Sequence, residues 1–379
     1  MGIIPQNLLP TEEGPNGIRF DFNNGCRVMT PEEIDAKYEI LLYDRNSGNI
    51  VERCELGKGR LWMSKFKYYI NYRLEIKANG EQVLVHDMDL KDREVLLYFL
   101  SDCIGDSIAW FSYAPRFMRK HSCKLGIRMN PKVAELFRNI YTDIKFFTHE
   151  EANSIAPYAT YKPCVCYGGN KTMTRMHHWQ VPLDALAGYD LGMGDEIRQM
   201  PPFTSFHCMT ENKENKIIVM PYICFAFRAS RKYKEWNFPG GWDAVVAHVK
   251  SLGYRAICID RDGGDIHGAE DFTGDRPLTE RAKMLSYAEL FVGLPSGLSW
   301  LAWCTHTPIV MVSGFTEPYA EMPHRRVQNN QVCHGCWNNP EYALKWNMVK
   351  DCPGGRDCEC TRSITPQMVI NAIDEELGI

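Results

Sequence analysis

The segment from 294 to 303 has the residue types of a phosphate-binding turn. It has the pattern of a buried strand end, a Pro-Ser-Gly turn and an apolar helix. A helix N-terminus offers unpaired N–H groups and a partial positive charge, and Gly297 would let an anion approach the backbone closely. The alternative is that Ser296 is an ordinary helix cap. The residues predicted to bind a phosphorylated donor here are Ser296, Gly297, Leu298 and Ser299.

A basic loop follows a second predicted strand. Four cations lie within the seven residues from Arg228 to Lys234, and Ser230 lies among them. A Lys or Arg directed at a departing diphosphate would stabilise its negative charge. The alternative is a solvated basic loop without a ligand. We expect Arg228 and Ser230 to contact the donor.

A carboxylate stands at the first strand-to-helix turn of the middle region. Asp106 follows Gly105 at a predicted helix start, where it could accept a proton from an attacking hydroxyl group. Asp is also favoured in the first turn of a helix, so a capping role is the alternative. Because a helix start favours the ionised form, we expect Asp106 to be charged at neutral pH and a comparatively weak base.

Five of the 15 cysteines form a cluster near the C-terminus. The two-residue spacing of Cys333 and Cys336 lets both sulfurs reach one metal, and two of the later three, Cys352, Cys358 and Cys360, would complete a tetrahedral set. Spacing alone favours zinc, with iron or an Fe–S cluster as alternatives. A disulfide scaffold is not expected in a chain of this length without a secretion signal. A redox-active or spectator cluster is the remaining alternative.

The elements around these segments predict an α/β protein. Strands alternate with helices from Glu94 onwards, which predicts parallel sheets with right-handed crossovers. These include one long helix from Ser107 to about Lys120 and a strand over Lys162–Tyr167. The earlier residues have the pattern of antiparallel strands, with Asn79-Gly80 as a hairpin turn.

Because ligands of open α/β sheets bind at the carboxyl ends of the strands, the predicted loops would face one cleft. The fold class is therefore α/β of GT-B type, with two Rossmann-like domains. The predicted divisions are a β-rich module (1–93), a first Rossmann-like domain on the acceptor side (94–216), a second on the nucleotide-sugar side (217–320), a Cys-rich metal finger (321–362) and a C-terminal helix (363–379).

The composition is that of an ordinary globular enzyme. The length of 379 residues predicts two or three domains, and 45% hydrophobic with 24% charged residues excludes disorder and coiled coil. A net charge of −4 gives no reason to expect nucleic acid as a partner. No apolar run approaches the ~20 residues of a membrane span. The polar N-terminus lacks signal-peptide order, so we expect a cytoplasmic protein.

Taken together, the motifs resemble those of the bacterial autotransporter heptosyltransferases, which are GT-B enzymes related to the lipopolysaccharide heptosyltransferases. The likeness runs from about residue 94 to the end and is weaker before it. The resemblance rests on four motifs: Gly-Asp-Ser-Ile-Ala-Trp at 105–110, Lys-Glu-Trp-Asn at 234–237 with Pro239, Gly241 and Trp242, the segment 294–303 with Ser-Gly-Phe at 313–315, and the cysteine cluster.

The resemblance implies transfer of a heptose from ADP-heptose to Ser or Thr hydroxyl groups of a bacterial surface protein. The base proposed for the family corresponds to Asp106, and the lysine that supports the donor phosphates corresponds to Lys234. Family members form large rings, so a homo-oligomer is expected, and no organic cofactor is. The family's finger binds ferric iron through four cysteines, with zinc as the alternative metal here. Those ligands correspond to Cys333, Cys336, Cys352 and Cys360.

The expected reaction is direct displacement at the anomeric carbon, without a covalent glycosyl-enzyme. One alternative is a GT-B transferase that uses another nucleotide sugar, or a glycan or lipid acceptor. Another is a non-catalytic scaffold stapled by a metal. Two features depart from the family pattern, namely the fifth cysteine, Cys358, and the additional cations Arg228, Arg231 and Lys232 ahead of Lys234.

Overall fold

The computed structural model describes residues 9–65, 70–163, 188, 191–193, 220–337 and 352–379. The first part of the chain is rich in strands, as the sequence predicts. These strands are β1 (Glu12–Glu13), β2 (Arg19–Asn23), β3 (Arg27–Met29), β4 (Tyr38–Asp44), β5 (Ile50–Leu56), β6 (Leu61–Met63), β7 (Tyr72–Ala78) and β8 (Glu81–Asp87).

Four of these strands form an antiparallel sheet in the order β5-β4-β7-β8. Alternate residues of β4 and β7, such as Ile40 and Ile76, are fully buried, as expected for a sheet with one face on a core. Asn79 and Gly80 connect β7 to β8 with φ angles of 50° and 89°. Two positive φ angles define the hairpin turn that an Asn-Gly pair favours, so this prediction is confirmed.

The remaining N-terminal strands belong to the first α/β sheet. β2 runs parallel to a later strand, with Phe22 opposite Ala159, and β3 and β6 extend the same sheet. At this junction the Thr160 hydroxyl donates to Asn23 Oδ1 (2.6 Å), and buried Arg27 pairs with buried Asp21. Strands β1, β2, β3 and β6 therefore belong to the sheet of the first α/β half, whereas β5-β4-β7-β8 form a sheet of their own.

The first α/β half has its strands in the order β11-β10-β9-β12, all parallel, followed by β2. The buried core between strands and helices contains Trp110, Phe111 and Phe137. The elements are β9 (Glu94–Tyr98), α1 (Ile104–Phe111), α2 (Ala114–His121), β10 (Lys124–Arg128), α3 (Pro131–Phe137), β11 (Lys145–Phe147), α4 (His149–Ser154) and β12 (Ala159–Tyr161).

One prediction for this half was wrong. The single helix expected from Ser107 to Lys120 is two helices, because Pro115 lacks an N–H group and its ring clashes with the carbonyl group four residues earlier. A strand lies at Ala159–Tyr161, directly before the strand expected over Lys162–Tyr167, most of which (residues 164–167) falls outside the described residues. The connector and cleft loops predicted for 168–216 also fall almost entirely outside them.

The second half is a parallel sheet in the order β15-β14-β13-β16-β17-β18. The C-terminal helix α9 (Pro366–Leu377) packs beside α5 (Gly241–Ser251), where His248 Nε2 lies 2.6 Å from the Asp374 carboxylate. Within the described residues, no helix is long and apolar enough to span a membrane. The elements are β13 (Tyr222–Phe225), α5 (Gly241–Ser251), β14 (Arg255–Cys258), β15 (Glu270–Asp271), α6 (Leu278–Ser286), β16 (Leu290–Gly293), α7 (Gly297–Cys304), β17 (Ile309–Val312), β18 (Arg325–Val327), α8 (Glu359–Arg362) and α9 (Pro366–Leu377).

Candidate active site between the two α/β halves

The turn after β9 is held at the carboxyl edge of the first sheet by residues at the end of β10. The Arg128 guanidinium donates to the Phe99 carbonyl (2.7 Å) and pairs with Asp102 (2.8 Å). Asn130 donates to the Asp102 carbonyl (2.6 Å). The turn therefore has a fixed shape, and α1 begins from it with Asp106 in its first turn.

The two halves touch where α1 meets α7. A Cβ atom added to Gly105 would lie 2.7 Å from Trp300 Cδ1, and one added to Gly297 would lie 2.8 Å from Ile104 Cβ. Real Cβ atoms do not approach other atoms so closely, so a side chain at either position would force the packing of the two helix starts to shift. The contact brings the N-terminal ends of both helices together.

Lys234 enters the same region from a short 3-10 helix, Lys232–Lys234. Aromatic side chains on either side of the lysine fix this segment. The ring of buried Tyr233 lies 5.0 Å from that of Phe315, and the Trp236 indole donates to the Ile364 carbonyl (2.9 Å). The Lys234 ammonium group lies 5.2 Å from the centre of the Phe315 ring.

Asp106 and Lys234 are close enough for the charge of each to affect the pKa of the other. Burial raises the pKa of Asp106, while a hydrogen bond from Ser101 and the charge of Lys234 oppose this rise. Burial likewise lowers the pKa of Lys234, while Asp106 and Cys103 oppose the fall. A carboxylate of one half and a cation of the other are thus brought to one place.

The expectation for the base strength of Asp106 was wrong in sign. A helix start alone favours the ionised form, which would make the carboxylate a weak base. In the structure desolvation is the largest effect, so the pKa of Asp106 lies above its ordinary value. The carboxylate is therefore a stronger proton acceptor than the sequence predicts.

The start of α7 has the features of an anion site. Ser296 is the N-cap residue, but its side chain makes no capping hydrogen bond, and its buried Oγ has no partner within the described part of the chain. The capping alternative for Ser296 is therefore not supported. Ser299 is different, because its fully buried hydroxyl donates to the Leu294 carbonyl (2.5 Å) and holds the turn. Gly297 and Leu298 are half-buried, with the N–H groups of a helix start.

Arg228 and Ser230 are exposed in the loop after β13. The Arg228 guanidinium lies against Gly264, 2.7 Å from the position a Cβ atom would take there. Buried Asp260 receives the backbone N–H groups of Phe227 (2.8 Å) and Arg228, which fixes the start of this loop. Burial raises the pKa of Asp260 to about 6.

Part of the cysteine cluster lies against the turn after β17, where a Cβ atom on Gly314 would lie 2.8 Å from Cys360 Cβ. Burial and the other cysteines of the cluster raise the pKa of Cys360 to about 12 and that of Cys336 to about 11. Backbone N–H groups of Cys358, Arg356 and Gly354 outweigh the effect of burial at Cys352 and lower its pKa. Among the described residues, no three His, Cys, Asp or Glu side chains are arranged as ligands of one ion.

Sequence reasoning missed Ser101 and Phe315 as parts of this site. Ser101 lies five residues before Asp106 and receives the Cys103 N–H group (3.1 Å) in addition to its hydrogen bond with Asp106. Phe315 follows β17 at the end of a matched motif. The position of Ser101 in the turn before Asp106 could have indicated a hydrogen-bond partner for the carboxylate. The proximity of Phe315 to Lys234 is evident only in the folded chain.

Two distant structures define the class of fold. A glycosyltransferase of family 9 from Veillonella parvula superposes with a TM-score of 0.54 at 12% identity, covering 76% of this chain and 98% of that one. The ADP-heptose lipopolysaccharide heptosyltransferase II of E. coli gives 0.52 at 11% identity, covering 74% and 98%. The fold is that of the GT-B glycosyltransferases.

Closer relatives identify the family. The chain is 38% identical to the autotransporter heptosyltransferase TibC of Escherichia coli O78:H11 over 382 residues, covering 97% of this chain and 91% of TibC. A crystal structure described as the iron-containing dodecameric TibC superposes with a TM-score of 0.89, covering 99% of each chain at 37% identity. Residues 14–80 match the family model "Glycosyltransferase TibC, N-terminal domain". A 31% identical relative from Burkholderia thailandensis, covering all of this chain and 90% of the relative, is named an inactive autotransporter heptosyltransferase. This chain belongs to the autotransporter heptosyltransferase family.

Proposed function

We propose that this protein is a glycosyltransferase that moves a heptose from ADP-heptose to Ser or Thr hydroxyl groups of a bacterial autotransporter-type surface protein. The observation that carries this proposal is the meeting of Asp106, Lys234 and the start of α7 at the contact between the two halves. It is supported by the identity with TibC, whose crystal structure has also been described in complex with ADP-D-beta-D-heptose.

The reaction is a direct displacement at the anomeric carbon. The acceptor oxygen forms a bond to this carbon while the bond to the diphosphate oxygen breaks, and ADP leaves with the electron pair. Asp106 takes the proton of the acceptor hydroxyl group, for which its raised pKa suits it. The desolvated Asp106 and its Ser101 hydrogen bond are in place before the substrate binds, so little reorganisation is needed.

The second half stabilises the leaving group. Lys234 and the N–H groups of Gly297 and Leu298 face the developing charge on the diphosphate, and the free Ser296 hydroxyl adds a donor. Arg228, held against Gly264 at the same edge of the sheet, contacts the nucleotide part of the donor together with Ser230. Ser299 contributes by keeping the turn in shape.

We further propose that Cys333, Cys336, Cys352 and Cys360 hold ferric iron, as suggested by the iron content of TibC. The chemistry of these residues fits a metal, because soft thiolates suit iron or zinc and backbone N–H groups already stabilise the Cys352 thiolate. The metal would act as a structural staple. Cys358 is left as an outer residue, and zinc is the alternative metal.

The same comparison suggests how the chain assembles. Because TibC is described as dodecameric, we propose that this chain forms a homo-oligomer. We also propose a cytoplasmic location.

Co-expression with an autotransporter passenger protein, followed by intact-mass measurement, tests the function. We expect a series of added heptose masses with the wild type and none with Asp106→Asn. Asp143→Asn serves as a control, since Asp143 is exposed in the loop before β11, at the opposite edge of the sheet from Asp106, and it should retain transfer. Transfer by Asp106→Asn at the wild-type rate would exclude Asp106 as the base.

The inactive relative from B. thailandensis gives a specific reason to keep a second candidate, a non-catalytic scaffold. The scaffold predicts that no acceptor gains mass and that ADP-heptose does not raise the melting temperature. The transferase predicts stabilisation by mass action, which at a donor concentration of 100 times Kd amounts to about 2.7 kcal/mol.

A further inference from the structure

The ring of Phe315 lies within reach of the Lys234 ammonium group. The Lys234 Nζ atom is 5.2 Å from the ring centre, inside the ~6 Å at which a cation is attracted to an aromatic face. Only 2% of Phe315 is exposed, so water hardly competes for this contact. The ring therefore defines one side of the space that the ammonium group occupies.

The turn that carries Phe315 is fixed by a buried polar network. The hydroxyl groups of Ser313 and Thr316 donate to the Glu321 carboxylate, which is itself 4% exposed. Arg326 donates both to this carboxylate and to the Thr316 carbonyl. Because this network ties residues 313 and 316 to buried Glu321 and to Arg326, the backbone on both sides of the phenyl ring has little freedom.

The cysteine cluster holds the same turn from its other side. The Gly335 N–H group donates to the Gly314 carbonyl (3.0 Å), and the Trp337 N–H group donates to the Phe315 carbonyl (2.9 Å). A Cβ atom on Gly314 would lie 2.8 Å from both Cβ and the carbonyl oxygen of Cys360. The position of the ring thus depends on the segment that carries the cysteines.

Burial and neighbouring groups together determine the charge state of Lys234. Asp106 and Cys103, from α1 and the turn before it, favour its charged form, whereas Arg231 on its own loop and burial oppose it. The phenyl ring supplies a further attraction that exists only while the ammonium group is charged.

We propose that Phe315 is a positioning residue for Lys234, whose ring holds the ammonium group toward the donor diphosphate and is itself held in place by the cysteine segment. This inference rests on the proposed role of Lys234 in donor binding. It connects a segment that would otherwise be only a structural staple to the binding of the nucleotide sugar.

Calorimetric titration with ADP, at several pH values between about 7 and 10.5, tests the proposal, since a lysine in this range changes its charge. The variants are Phe315→Leu, which removes the ring, and Phe315→Tyr, which keeps it. Phe315→Met replaces the Leu variant if that one does not fold. Phe146→Leu is the matched control, because Phe146 also lies against a cation, Arg138 at 5.9 Å, but in the other half. Metal content is measured on every sample.

We expect Phe315→Leu to weaken ADP binding roughly 2- to 30-fold and to move the alkaline loss of affinity about 0.4 to 1.5 pH units lower. Phe315→Tyr should restore the wild-type profile, and Phe146→Leu should not change it. An equal loss of affinity at every pH, no change, or a loss of metal together with affinity would each overturn the proposal.

Lys234→Ala separates this inference from the proposed function. If that variant binds ADP as the wild type does, the role of Lys234 itself fails. If Lys234→Ala weakens ADP binding and abolishes the loss of affinity at alkaline pH, while Phe315→Leu leaves that loss at the wild-type pH, only the role of Phe315 fails.

Discussion

Replacing Gly297 by Ala tests whether the contact between α1 and α7 determines catalysis. The added Cβ atom would lie 2.8 Å from Ile104 Cβ and 3.1 Å from its Cγ2 atom. Carbon atoms at optimal separation are ~3.5–4.0 Å apart, so the two helix starts must separate by roughly 1 Å. The variant keeps the N–H group of residue 297 and adds no charge.

The separation moves Asp106 away from Lys234 and from the donor. Since a misplacement of ~1 Å can cost about 10²-fold in rate, we expect kcat to fall by up to roughly that factor. Overpacking costs about 1–3 kcal/mol of stability, of which a better helix propensity offsets at most ~1 kcal/mol. Affinity for ADP should change much less than kcat.

Initial rates of heptose transfer and calorimetric ADP affinity are the measurements. Gly57→Ala is the control, because a Cβ atom there has no neighbour within 4 Å and the residue needs no positive φ. If Gly297→Ala folds and transfers heptose within about twofold of the wild-type rate, close packing at this contact does not position the site.

Three further predictions concern protons and metal. The transfer rate should rise with pH through a pKa above the ordinary carboxyl value, because burial raises the pKa of Asp106. At alkaline pH the rate should fall again as Lys234 loses its proton, and this loss should occur at a lower pH than the ~10.4 of an ordinary lysine because burial lowers the pKa of Lys234. A pH–rate profile measures both changes. Cys352→Ser should lose bound metal while Cys358→Ser retains it, as measured by elemental analysis. Asp260 has a folded-state pKa of about 6, above its ordinary value, so the free energy of unfolding should fall as the pH rises from about 4 to 6, by up to ~3 kcal/mol. Asp260→Asn should flatten this dependence in urea unfolding.

A short apolar run with a clear turn signal could be predicted closely. The strand end, Pro-Ser-Gly turn and apolar helix predicted within 294–303 correspond to the end of β16 and to α7, which begins at Gly297. The helix expected over 107–120 is divided for a local reason, because Pro115 interrupts the helical hydrogen bonding.

Other features depend on contacts that are distant in sequence. The pairing of β2 with β12 joins residues more than 130 positions apart, and no local pattern indicates it. The raised pKa of Asp106 is of the same kind, because the helix start was visible in the sequence but the burial was not. Phe315 acquires its relation to Lys234 only when β17 and the 3-10 helix meet.

The way β2, β3 and β6 are incorporated constrains how this protein can be recombined with its relatives. The matched N-terminal region, residues 14–80, contains the whole of these three strands and one full side of the buried Asn23–Thr160 junction. A chimera that exchanges this region as a cassette would transplant part of the first α/β sheet with it. Crossover points that respect the architecture must therefore preserve the residues facing β12, or carry β12 along.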